Sequence, residues 1–307
     1  MKRVLVTGGS GLLGKYVVEA LKDTFHVTVF DKAKPAYECA FVEGDILGRT
    51  SIDKALVDQD CIVHLAALDA AIKASDDDFI RVNVEGTWNL FSCARNAGIK
   101  RVVQCSSVSA VNISPENPPQ YLPVDLDHHA DPQTAYGLSK LMGEKIARRF
   151  FTLGGMDVIC LRPSLIMAPE YVYDVALTSS EADGTTLPPP ASHDTWKSWG
   201  RTIPGARDYV DSRDAGAAFL AALNADHIPW GIFYVTSADS YSALPTTDVV
   251  QREYSVSPEI RDPDLYAGDS RASIYDISTT TEELGWTPAH GWPEILQDLL
   301  SSVQIAD

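Results

Sequence analysis

The chain has 307 residues, 45% hydrophobic and 22% charged, which suits one large α/β domain, or a domain with a smaller lobe, and excludes a disordered or fibrous protein. A formal charge of −17 disfavours nucleic acid and anionic membrane surfaces as partners, although local arginines can still hold an anionic substrate. The five cysteines (Cys39, Cys61, Cys93, Cys105, Cys160) are scattered without CxxC spacing and read as reduced thiols of a cytoplasmic protein; no apolar run reaches transmembrane length, and the strand that starts just after Met1 gives the expectation of no signal peptide.

Residues 3–6 are a short β-branched run, followed at once by Gly8, Gly9, Gly11 and Gly14. Residues 15–22 show helical spacing with Val18 and Leu21 on one face, and residues 27–30 form a second apolar strand closed by Asp31. In such a unit the glycines let the backbone turn tightly and approach a pyrophosphate, and the helix start offers free N–H groups and a positive dipole end. Gly8 and Gly11 are therefore candidate cofactor contacts. Asp31, 17 residues past Gly14, is placed to accept hydrogen bonds from an adenosine ribose. Its carboxylate would repel a 2′-phosphate, which favours NAD over NADP; Lys32 and Lys34 are the counter-indication and read as solvated loop charges.

Strands and helices keep alternating. Residues 39–42 are a third strand ending at Glu43-Gly44-Asp45-Ile46, 51–56 a helix, and 61–65 a fourth strand running into Ala66-Ala67. Residues 76–97 form a long amphipathic helix containing Asn83, and 101–105 a fifth strand followed by Ser106 and Ser107. A proline-containing loop leads to a second long helix at about 134–151, and 158–162 is a sixth strand. This order predicts an α/β fold with a doubly wound parallel sheet of the Rossmann type. The pattern loosens over 170–207, where a substrate lobe would sit; a helix at 212–224, a strand at 231–235, a helical stretch at 280–284 and a final helix from about 292 to 303 follow. The expected division is a dinucleotide-binding domain over 1–163, with 207–236 returning to it, and a smaller, mainly C-terminal substrate lobe built from 164–206 and 237–307.

Tyr136-Gly137-Leu138-Ser139-Lys140 lies inside the second long helix, so the phenol and the ammonium share one face. A free phenol titrates near pH ~10, too high for a base at neutral pH. A neighbouring ammonium favours phenolate, and the tyrosine can then take a proton from a carbinol as hydride leaves, or return it on reduction.

These features together resemble the short-chain dehydrogenase/reductase superfamily, and more narrowly its extended branch, the NAD-dependent epimerase/dehydratase family. TGGSGLLG from Thr7 to Gly14 matches the branch's TGxxGxxG and implies that Leu12 and Leu13 also meet the cofactor. Asp45-Ile46 matches its adenine-contacting pair, His64-Leu65-Ala66-Ala67 its loop beneath the cofactor, and Leu161-Arg162-Pro163 the strand end lining the nicotinamide. Asn83 matches a helix asparagine near the active site and is counted with the cofactor-binding residues, whereas His64 reads as a packed strand-end histidine. Ser107 falls at the catalytic Ser or Thr position, with Ser106 as the neighbouring alternative, and Tyr136 and Lys140 match the catalytic pair. The resemblance implies that Ser107 polarises the reacting oxygen and that Tyr136 and Lys140 also touch the cofactor, Lys140 at the nicotinamide ribose. Arg207-Asp208-Tyr209-Val210 matches the substrate-arginine motif and Leu284-Gly285-Trp286 the C-terminal signature. In relatives the two long helices pair across a two-fold axis, which implies a homodimer.

The chain departs from the nucleotide-sugar members where they grip a diphosphate. Leu165 replaces an asparagine, Met167-Ala168 replaces Tyr-Gly, and Tyr266 or Ala267 replaces an arginine before Gly268-Asp269. Arg207 is retained, and Arg271 is a candidate substitute. Losing charge-assisted bonds to phosphate weakens such a substrate. The leading expectation is therefore an NAD-dependent oxidoreductase acting on a carbinol or carbonyl of a small sugar-like or hydroxylated substrate. The alternatives are a nucleotide-sugar 4-epimerase or dehydratase with tightly bound NAD, and a non-catalytic dinucleotide-binding regulator. No metal-ligand cluster is read; His128-His129, beside Asp125, Asp127 and Asp131, reads as a solvated loop.

Overall fold

The computed structural model describes residues 1–169, 172, 175, 176 and 207–304, so most of the stretch read as the start of a substrate lobe lies outside the described residues. The strands are β1 (Arg3–Thr7), β2 (His26–Asp31), β3 (Ala40–Glu43), β4 (Cys61–His64), β5 (Arg101–Cys105), β6 (Tyr121–Leu122), β7 (Asp157–Pro163), β8 (Leu165–Met167), β9 (Tyr209–Asp211), β10 (Trp230–Val235) and β11 (Glu259–Ile260). Seven of them form a sheet in the order β10-β7-β5-β4-β1-β2-β3, every neighbouring pair parallel. The winding direction reverses between β1 and β4. In open α/β sheets the crevice beyond the carboxyl ends of the strands at such a point takes the ligand.

Alternate strand residues face opposite sides of the sheet. Val4, Val6, Val63, Val103, Ile159 and Leu161 pack with residues of α1 (Leu12–Leu21) and of the helix Ser212–Asn224. Leu5, Ile62, Val102, Val158 and Cys160 pack on the other side, beneath α2 (Arg49–Ala55) and the two long helices. Both faces are covered, which is why these strands read as continuous apolar runs rather than alternating ones. The helix Ser212–Asn224 approaches α1 so closely that a Cβ on Gly216 would lie 2.6 Å from the Tyr16 carbonyl oxygen.

The helix expected over 76–97 is built from three pieces. These are α3 (Asp76–Phe79), capped by Ser75 and Asp78 in a reciprocal capping box, a π-helical turn at Ile80–Glu85, and α4 (Gly86–Asn96). The second long helix is α5 (Ala135–Thr152), with the Thr134 hydroxyl accepting from the Gly137 N–H at its start. The end of the chain is fastened by Asp214. Its carboxylate accepts the N–H groups of Ala289 and His290 at 3.0 and 2.9 Å and meets His290 Nδ1 at 2.8 Å, while its carbonyl accepts Trp286 Nε1–H. Among the described residues no helix is long and apolar enough to cross a membrane.

Candidate active site

A cleft of about 1370 Å³ opens at the switch point, lined by the glycine turn, the ends of β2, β4, β5 and β7, the start of α5 and residues around Arg207. The turn follows from its sequence. Gly8 has φ +73°, and a Cβ there would lie 2.5 Å from the Ala66 nitrogen, so the loop after β4 can pass beneath it only because the side chain is missing. α1 starts at Leu12, three residues before the helical spacing becomes readable, because Gly11 is its N-cap and no side chain caps the end. Its first N–H groups are thus free to meet an anion at the cleft. The Tyr37 hydroxyl donates to the Gly9 carbonyl at 2.6 Å and steadies the turn.

Asp31 sits beside this turn at the end of β2, its two oxygens accepting the N–H groups of Ser10 and Lys32 at 3.0 and 2.7 Å. Lys32 reaches Asp45 Oδ2 at 3.6 Å and Lys34 is exposed, which leaves Asp31 as the charge fixed at the turn. Gly8, Gly11, Leu12, Leu13, Asp31, Asp45, Ile46, Leu65, Ala66, Ala67 and Pro163 all line the cleft. A glycine cradle that any Cβ would fill, an uncapped helix start and a carboxylate at the second strand end fit a dinucleotide such as NAD.

At the other end the backbone places three side chains together. Ser107 starts a short 3₁₀ turn, its hydroxyl accepting the Ser109 N–H at 3.1 Å. α5 lies directly on that turn: a Cβ on Gly137 would come 2.5 Å from the Ser109 carbonyl oxygen. Tyr136, in the first turn of α5, lines the cleft beside Ser107 and packs edge-on to Phe79. Lys140, buried one turn further on, donates to the Cys105 carbonyl at 3.1 Å and sits 5.6 Å from the Tyr136 ring centroid. Burial pushes the Tyr136 phenol well above its usual value, with Asp69 and Cys105 adding to the rise and the Ser107 hydrogen bond opposing it. The expected lowering by Lys140 is not among the causes: its ammonium bonds the Cys105 carbonyl, and burial sets the direction of the shift.

Of the two adjacent serines, Ser106 donates to Glu144 at 2.6 Å and is almost fully buried, so Ser107 is the one at Tyr136. Glu144 in turn holds Arg162 through both oxygens, at 2.8 and 2.9 Å. Two candidates are placed differently from the expectation. Asn83 does not line the cleft. The π-helical turn carries it inward, where its amide pairs with the N–H and C=O of Leu68 at 2.7 and 3.1 Å and with Ser139 Oγ at 2.9 Å. Arg271 does not line the cleft either. Its N–H is held by Asp269, its carbonyl accepts the Ser240 N–H, and its guanidinium lies 3.9 Å from Asp239. Arg207 does line it, buried, with φ +67° and Nη1 3.5 Å from Ser242 Oγ.

Sequence reasoning passed over Asp69, Asp208, Tyr241, Tyr254 and Tyr275, which also line the cleft. Asp208 is part of the Arg207-Asp208-Tyr209-Val210 motif but was given no role of its own; the others carry no local signal. His64 is buried between Thr7 and Thr87 at 2.8 and 3.0 Å, as a packed strand-end histidine. His128 packs on Tyr121 and accepts the Gln120 N–H, so it belongs to a folded corner rather than a solvated loop.

Residues 4–234 match the model of the NAD dependent epimerase/dehydratase family. A protein of Methanocaldococcus jannaschii described as a candidate UDP-glucose 4-epimerase is 31% identical over 305 residues, covering 93% of each chain. The tetraketide alpha-pyrone reductase 1 of Arabidopsis thaliana is 28% identical over 209 residues, 59% of this chain and 63% of that one. Among solved structures, a short-chain dehydrogenase/reductase superfamily protein from Agrobacterium tumefaciens with bound NAD superposes with a TM-score of 0.73 at 23% identity, covering 99% of this chain and 97% of that one.

Proposed function

Because this chain belongs to the NAD-dependent epimerase/dehydratase family, we propose that it is an oxidoreductase acting on a carbinol or carbonyl of a small hydroxylated, sugar-like substrate. The observation that carries this reading is the grouping of Ser107, Tyr136 and Lys140 in the same cleft as the glycine turn, with Lys140 5.6 Å from the Tyr136 ring centroid. Gly8, Gly11 and the start of α1 would hold the pyrophosphate of NAD, Asp31 its adenosine ribose, and Lys140 with Pro163 its nicotinamide end. The chemistry that NAD supplies when bound is acceptance and return of a hydride. Ser107 orients and polarises the reacting oxygen. Tyr136 gives that oxygen a proton in reduction, and as phenolate removes one in oxidation.

Growth of the NADH absorbance on mixing the protein, NAD and a panel of sugars, uronic acids and polyols is the expected result; silence across the panel counts against the reading. A second reading, 4-epimerisation of a nucleotide sugar, is supported by the M. jannaschii relative, which is matched along nearly its whole length. It predicts NAD that stays with the protein through purification and interconversion of UDP-hexoses without net NADH.

The assembly in this reading is a homodimer formed through α4 and α5, where Trp88, Leu138 and Met142 are 44, 41 and 38% exposed despite their apolar character. The compartment is the cytoplasm, in keeping with five cysteines that all stand as free thiols.

A further inference from the structure

Asp69 stands next to the residue that Asn83 grips. With both backbone groups of Leu68 and the Ser139 hydroxyl bound to one amide, the loop after β4 and the helix bearing Tyr136 and Lys140 are tied at one point. Asp69 is itself anchored, its Oδ1 accepting the Ala71 N–H at 2.9 Å, yet the residue is exposed and lines the cleft. Nearby cations have other partners: Lys140 bonds the Cys105 carbonyl and Arg81 lies 3.5 Å from Asp78. The Leu68–Asn83–Ser139 tie, with the Ser139 hydroxyl donating to the Tyr136 carbonyl, holds this loop against the first turns of α5, so a substrate seated at Ser107 and Tyr136 shares the cleft with the Asp69 carboxylate. A carboxylate is acceptor-only and favours hydroxyl donors.

We propose that Asp69 is a substrate-recognition residue, its carboxylate accepting hydrogen bonds from hydroxyls adjacent to the reacting carbon and so selecting polyhydroxylated substrates. This rests on the oxidoreductase reading of the same site. The charge of Asp69 also bears on the Tyr136 phenol, which faces Cys105 from β5, Ser107 from the turn after it and Lys140 from its own helix.

The test is calorimetric titration of the NADH-loaded protein with aldohexoses and UDP-hexoses, each beside its monodeoxy analogues, followed by KM for any member that turns over. Asp69→Ala is expected to weaken binding of the parent sugar about tenfold or more, the scale of a hydrogen bond to a charged group, with NADH affinity unchanged. Asp69→Asn, which keeps an acceptor oxygen, is expected to recover most of that loss. One monodeoxy analogue should bind the wild type as weakly as its parent binds the Ala variant, and the two changes together should cost no more than either alone. Equal binding of parents and all their deoxy analogues by the wild type, or losses that simply add, would overturn the inference. A sugar bound but never converted would instead overturn the oxidoreductase reading, and a wild type that binds no panel member overturns the inference.

Discussion

At Tyr136 the phenol remains protonated through neutral pH, since burial and the Asp69 charge outweigh the Ser107 hydrogen bond. A protonated phenol serves reduction directly, whereas oxidation needs phenolate, so the oxidation rate should climb with pH while the reduction rate stays nearly level; initial rates in both directions across pH 6–10 check this. Tyr136→Phe keeps the ring and its contact with Phe79 but loses the exchangeable proton, so turnover should drop about 10²–10⁴-fold with NAD affinity retained. Two other buried groups bear on the acid response of the fold. Burial holds His64 down at about 3, so folded His64 binds fewer protons than an unfolded histidine and stability is lost as pH falls through the usual value near ~6.5. Asp208 is the reverse case: burial raises it to about 6, so its contribution is present at low pH and lost as pH rises from ~4 toward 6. The two oppose each other between about pH 4 and 6. Asp208→Asn should therefore raise the Tm above pH 6 and make it fall more steeply on acidification, as a series of thermal melts would show. What was legible at this scale was what lies close in sequence: the glycine run, Asp31, and a phenol four residues from an ammonium. The bonds of Asn83 were not legible, because its partners, Leu68 and Ser139, lie 15 and 56 residues away and the π-helical turn aims it at them.

Among the elements, α5 is fixed to the sheet by the Glu144–Arg162 pair, with Ser106 completing the acceptor and Tyr234 lying 3.4 Å from Arg162. Removing one partner of a buried pair leaves the other charge uncompensated, a loss of about 3–5 kcal/mol. Glu144→Ala should therefore lower the Tm by several degrees, and a chemical denaturation curve gives the size. Gly8→Ala should be as damaging locally, because φ +73° and the Ala66 backbone both resist a methyl group; weakened NAD binding in a titration is the measure. The strands of the main sheet were legible because burial on both faces leaves long β-branched runs. The helix Thr246–Tyr254 was not, since its short stretch buries Thr246, Val249, Val250 and Tyr254 amid five polar or charged neighbours.

For the molecule as a whole, Trp88, Leu138 and Met142 leave apolar surface exposed on α4 and α5, which the proposed homodimer would cover. Light scattering should give a dimer mass for the wild type, and Met142→Glu should shift it toward the monomer without loss of NAD binding. The α/β class was readable from the alternation of strands and helices. The return of 207–236 to the first half was expected too, but not which neighbours it meets: that β10 pairs with β7 and that the helix Ser212–Asn224 packs with α1 depends on contacts far apart in sequence.

That return also has a consequence for biosynthesis. β10 closes the outer side of β7, and the helix Ser212–Asn224 covers α1, yet β10 leaves the ribosome some 70 residues after β7 is complete. At synthesis rates of about 5–20 residues per second this gap lasts roughly 4–14 s. Throughout it the nascent nucleotide-binding half carries an open strand edge at β7 and an apolar helix face at α1, the two features that most invite chaperone capture or pairing with a neighbouring chain.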